Sequence, residues 1–155
     1  MRVNVYKTKL TNEGGVVLEK ALVKNCKGLG KKMNSPENIV MFAREFLHLH
    51  EQSEEYMYVL GMNTKLDLTS VFELSHGNVN SAVVGVRELF QKALLANAVY
   101  IAVMHNHPSG DCAPSREDIA VTKRIKEAGD ILGISLLDHI IIGDGYCSLK
   151  EKGYI

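Results

Sequence analysis

A chain of 155 residues, 46% of them apolar and 23% charged, is long enough for one ordinary domain with its own core and a polar surface. Lysine plus arginine and aspartate plus glutamate both total 18, so the zero formal charge sets up no global field toward nucleic acid or anionic lipid, although a local basic patch stays open. Cys26, Cys112 and Cys147 are odd in number and far apart, which fits a reducing compartment better than a disulfide scaffold. The first residues alternate instead of forming an apolar signal core, and no run approaches the roughly 18 apolar residues of a bilayer span. The expectation is a cytoplasmic protein with no membrane partner.

Residues 3 to 10 alternate as a short strand, TNEGG is a turn, and VVLEKALVKN reads as strand or helix. KNCKGLGKKMN is a basic, glycine-bearing loop. Its GLGKK lacks the spacing and the Lys-Ser/Thr ending of a phosphate loop and reads as a connector. Ser35-Pro36-Glu37-Asn38 starts a helix, a cap followed by proline at the first helical position, and Ile39, Phe42, Ala43, Phe46 and Leu47 form the stripe that buries it. His48 and His50 at its far end point in different directions and suit a surface role better than a shared metal.

YMYVLGM, directly after Glu55, is a strand, TKLDLTSVFEL supplies an antiparallel partner, and HGNVNS is a loop. Val86, Leu89, Phe90, Ala93 and Leu94 mark a helix from about 85 to 96, with Asn97 as terminator. Residues 99–104 lack alternation and are too few for a confident helix, so they read as a strand buried on both faces. Residues 115–132 form a helix with Val121, Ile125, Ala128 and Leu132 inward. Residues 136–142 are a further strand, GDG turns, and YCSL closes the sheet. The fold class is α/β, a mixed central sheet with flanking helices.

The chemistry concentrates in HNHPSGDCAPSRED, residues 105–118. Side chains two apart in an extended segment share a face, so His105 and His107 aim two imidazoles at one point while Asn106 faces elsewhere. Asp118 has two readings. It completes a capping box with Ser115, and it lies three residues before inward-facing Val121, where a carboxylate needs a partner or a metal. Two histidines, a carboxylate and a water suit a zinc centre, and the other reading of the pair is a satisfied structural role at a strand end. A proton acceptor for that water would come from Glu54 or Glu55 at the start of the adjoining strand, and spacing does not choose between them. Asp138-His139 reads as a structural Asp–His hydrogen bond or as support behind the ligands.

On these residues the chain resembles the JAMM or MPN-plus (JAB) metalloprotease family, most closely its RadC-like branch. The family signature is Glu, later His-x-His, seven residues, Ser, two residues, Asp. Here His105 and His107 are followed by residues 108–114, then Ser115 and Asp118. HNHPSG, PSxxD and LLDHIIIGDGYCSLKEKGYI carry the same likeness, which covers residues 35–155 and leaves 1–34 as an N-terminal strand and basic-loop extension.

The resemblance implies a cytidine-deaminase-like architecture and Zn2+ on His105, His107 and Asp118. It implies Glu55 as general base and then acid, and Ser115 as holder of the polarised carbonyl or its oxyanion. The substrate it implies is a peptide or protein, ubiquitin-like or sulfur-carrier-like in some relatives, and the branch carries a DNA-repair label. The chain looks like a short form without the family's N-terminal helix-hairpin-helix region. Cys112 reads as loop filler near the metal. Two rival expectations are a nucleic-acid-associated protein using Lys31 and Lys32, and a non-catalytic module that keeps zinc for stability. Oligomeric state is left open.

Overall fold

A computed structural model describes residues 2–25, 30, 32–77 and 85–155. Seven strands form one mixed sheet among the described residues: β1 (Arg2–Leu10), β2 (Val16–Asn25), β3 (Tyr56–Met62), β4 (Leu68–His76), β5 (Tyr100–Asn106), β6 (Ser135–Ile142) and β7 (Tyr146–Ser148). Their order across the sheet is β2-β1-β4-β3-β5-β6-β7. The helices are α1 (Pro36–Glu45), α2 (Val86–Leu95) and α3 (Arg116–Leu132). Pairing is antiparallel except for β1 with β4 and β5 with β6. A parallel neighbour needs a crossover, and α3 is the one that joins β5 to β6.

The ambiguous VVLEKALVKN is a strand. The turn at Thr11 and Gly15, where the Thr11 N–H donates to the Gly15 carbonyl at 2.8 Å, returns it antiparallel to β1, and Lys7 and Lys9 both lie 3.3 Å from Glu19 across the pair. Tertiary pairing decides where local pattern does not. Residues 26–29 and 31 of the basic loop and 78–81 of the HGNVNS loop lie outside the described residues.

Alternation along the inner strands loads both faces. On one side Leu60, Met62, Ala102, Met104 and Ile140 meet Ile39, Phe42, Ala43 and Phe46 of the α1 segment. On the other, Met57, Val59, Ile101 and Val103 meet Leu89, Phe90 and Ala93 of α2 and Val121 and Ile125 of α3. The α1 start is as expected: the Ser35 hydroxyl accepts from the Asn38 N–H, and Pro36 opens the helix. Asn97 takes φ 53°, the left-handed turn that stops α2. Leu132 departs from its expected inward place and is exposed. The close packing falls instead on Gly129, where an added Cβ would lie 2.4 Å from the Ile134 carbonyl oxygen.

His48 and His50 lie at the surface beside Glu51, at 3.6 and 3.4 Å. No helix among the described residues is long and apolar enough to cross a membrane. Phe42, fully buried and stacked on Phe46 at 4.9 Å, should cost about 3–5 kcal/mol when cut to alanine. Ile131, which is 85% exposed, should stay within about 0.5 kcal/mol. Urea denaturation of the two variants checks the contrast.

Candidate metal centre

His105 is the last inward-facing residue of β5 on the α2/α3 side, in register with Met57 on β3. One step on, Asn106 turns to the other face, and His107 returns to the first. The His107 N–H donates to the Ile142 carbonyl at 2.8 Å, which carries the extended backbone past the end of β5 and brings both rings over the start of α3.

Asp118 serves both of its expected purposes at once. Ser115 and Asp118 form the capping box: the Asp118 N–H donates to the Ser115 hydroxyl at 3.0 Å, and the Ser115 N–H and O–H donate to Asp118 Oδ2 at 2.8 and 2.6 Å. Asp118 Oδ1 meanwhile lies 3.2 Å from His105 Nε2, and Oδ2 lies 3.5 Å from His107 Nε2. The two Nε2 atoms are 3.0 Å apart. Tetrahedral zinc, with bonds of ~2.0–2.1 Å, spaces its ligand atoms about 3.3 Å from one another. The observed triangle has that size, and these three residues form a group able to hold a metal.

The donor chemistry agrees with the spacing. His107 Nδ1 is 2.7 Å from the Asp111 carbonyl, which only accepts, so Nδ1 keeps the proton and neutral His107 presents a bare Nε2. His105 engages His139 Nε2 through its own Nδ1 at 2.8 Å and likewise turns Nε2 inward. Two nitrogen lone pairs and a carboxylate converging in a nearly dry site call for a cation. The His105 side chain is 1% exposed and that of Asp118 10%.

Burial opposes ionisation of Asp118, yet His105, His107 and Ser115 together hold its carboxyl far below the ordinary range. The hydrogen bond to Asp118 raises the His107 imidazole, burial works against it, and the Asp111 carbonyl and the Glu55 charge raise it further.

Of the two glutamates, Glu54 is exposed and Glu55 half-buried, and both line a cleft of about 380 Å³ with Ser53, Gly77 and Pro108. The placement of this segment comes from a residue the sequence reading had turned away from the site. Asn106 Nδ2 donates to the Glu54 carbonyl at 2.9 Å, and its Oδ1 accepts from the Tyr56 N–H at 2.8 Å, bracketing Glu55. Cys112 packs on the cluster of Ile141, Cys147 and Leu149 and is not one of the converging ligands.

Asp138 and His139 are not a side-chain pair. They point to opposite faces of β6: the Asp138 carboxylate accepts from the His139 backbone N–H, the Ser148 hydroxyl and the Lys150 N–H at 2.7, 2.6 and 3.1 Å, while the His139 ring reaches His105 and Thr122. Thr122 went unnoticed in the sequence. Its signal was its place one helical turn after Asp118, on the same face.

A mixed α/β sheet carrying His-x-His at the end of one strand and an acid in the first turn of the next helix defines the class of protein. A family model described as the RadC-like JAB domain matches residues 33–154, and the chain belongs to that family. It is 41% identical over 165 aligned residues to a UPF0758 protein of Caldanaerobacter subterraneus, covering 98% of this chain and 70% of the relative. It is 51% identical over 106 residues to one of Methanococcoides burtonii (68% and 46%). It is 46% identical over 125 residues to one of Clostridium botulinum (80% and 54%). The chain thus spans about half the length of the latter two relatives.

Two outcomes are expected. Asn106→Ala strands the Tyr56 N–H and the Glu54 carbonyl and should cost about 1–3 kcal/mol in chemical denaturation. A His107 imidazole raised in the fold stabilises below about pH 6.5, and that contribution is lost as pH rises through the raised value. As pH climbs above about 6.5 the chelator-treated protein should lose the His107 contribution, while His139, which burial keeps neutral, works in the opposite sense, and where zinc binds, the increment it adds should grow because fewer protons compete for the ligand. Melting scans across that range, with and without zinc, check both signs.

Proposed function

We propose that this chain is a zinc-dependent hydrolase that cuts a peptide or isopeptide amide with water. The observation that carries the reading is the convergence of His105 Nε2, His107 Nε2 and the buried Asp118 carboxylate in a triangle of zinc-ligand size. Zinc held there would supply Lewis acidity, polarising a carbonyl and making a water acidic near neutrality. Glu55, at the lip of the adjoining cleft and close enough for its charge to act on His107, takes the proton of the attacking water and hands it to the leaving amine. Ser115 steadies the substrate oxygen after turning its hydroxyl proton away from Asp118 Oδ2.

Two clefts touch the loop that follows His107. One runs past Glu55 and Pro108, and the other is lined by Asp111, Cys112, Pro114, Tyr146 and Lys152. Openings at two points along one loop suit a chain-like substrate. The nucleic-acid reading draws less support: Lys32 is tied to Asp67 at 3.3 Å and to the Lys65 carbonyl, and Lys31 lies outside the described residues.

Zinc-loaded protein should cleave members of a panel of peptide and lysine-isopeptide fluorogenic probes. Glu55→Gln should keep its zinc and lose about 10²- to 10⁴-fold in rate. Wild type that takes up no zinc on reconstitution, or a Glu55→Gln variant as active as wild type, sinks the reading.

A further inference from the structure

An imidazole binds a metal through the nitrogen that carries no proton, so a histidine with its proton on the wrong nitrogen is no ligand. For His107 a backbone carbonyl settles the matter. His105 is backed by a second imidazole, and a His–His contact leaves open which ring donates. The answer lies one residue further back.

Thr122 Oγ1 sits 2.6 Å from the Asp118 carbonyl oxygen, a separation that requires a hydrogen between them, and only the hydroxyl has one. With its single proton used, Thr122 can only accept at its 2.6 Å contact with His139 Nδ1, so His139 carries a proton there. His139 is fully buried, and its ring meets a hydroxyl and another imidazole, neither of them anionic, so it holds one proton and leaves Nε2 bare. That nitrogen accepts from His105 Nδ1 at 2.8 Å, which leaves the His105 Nε2 lone pair facing His107 and Asp118.

We propose that Thr122 and His139 are positioning residues that lock His105 in the tautomer able to bind the metal. The inference rests on His105 being a ligand of the proposed zinc centre. The topology supplies the alignment. Thr122 lies one turn beyond Asp118 on α3, so the acidic ligand and the anchor of the lock share a helix. His139 is in register with Val103, two residues before His105 on the same face of the parallel neighbour.

Thr122→Val removes the hydroxyl with little change of shape and frees His139 to protonate either nitrogen. Zinc affinity, measured by competition with a chromophoric chelator, should fall about 10- to 100-fold, and Thr122→Ser should restore it. Long-range ¹⁵N–¹H spectra of metal-free protein at pH 8 read the tautomers directly. His105 and His139 should both be Nδ1–H in wild type, with the Nε2–H form of His139 appearing in Thr122→Val. Nε2–H at either ring of wild type, or wild-type zinc affinity in Thr122→Val, overturns the proposal. If wild type itself takes up no zinc, the hydrolase reading fails separately, and the wild-type tautomers still decide the lock: Nδ1–H on both rings upholds it and Nε2–H on either ring overturns it.

Discussion

A carboxylate almost removed from water cannot stand alone, and the site is built around meeting that demand for Asp118. An uncompensated buried charge costs several kcal/mol. Ser115 satisfies part of it by donating a backbone N–H and a hydroxyl to one oxygen, an arrangement that also starts α3. The rest calls for a cation, which the histidine pair would help to hold, and β5 delivers that pair because a strand returns to the same face every second residue. Helix start, strand end and electrostatic balance are therefore one arrangement, and removing any member leaves the others with an unmatched charge or lone pair.

The far layer of the domain bears on the same site. Arg44, on α1, shares the two N–H groups of Nη2 among the carbonyls of Gly143, Asp144 and Gly145, at 3.2, 3.1 and 3.0 Å. That turn packs against the loop after His107 so closely that a Cβ on Gly143 would lie 2.2 Å from the Gly110 carbonyl oxygen, and the Asp144 N–H donates to the same oxygen at 2.8 Å. The loop so held includes Asp111, whose carbonyl orients His107. A helix that contributes no residue to the centre thus holds one of its imidazoles through three short backbone contacts.

Periodicity and spacing made much of this visible beforehand. The buried run ending in His-x-His, the Ser35 and Ser115 caps and the Asn97 stop are local signals, and the chain obeys them. The ambiguity of residues 16–25 was real, because only pairing with β1 distinguishes the two outcomes. Asn106 was read correctly as facing away, but the backbone it grips comes from some fifty positions earlier, which no local pattern encodes. Of the two readings of Asp138-His139, the hydrogen bond between them runs through the His139 backbone N–H and not its ring, because neighbours in a strand face opposite ways, and the ring stands behind His105. Thr122 carries no chemical signature of its own, and it matters only once α3 lies across β6.

The β1–β2 hairpin lies outside the stretch that matches the family model, yet it is hydrogen-bonded into the same sheet, with β1 beside β4. Without it β4 would be a bare edge, a row of unpaired peptide groups open to a strand from another molecule. With it the outermost strand is β2, which bulges opposite Val5 and Tyr6, where the pairing steps from Leu22 to Lys20, and whose Glu19 meets Lys7 and Lys9 of β1. The hairpin works as a bung in the side of the sheet, at the edge opposite the half that carries the histidines.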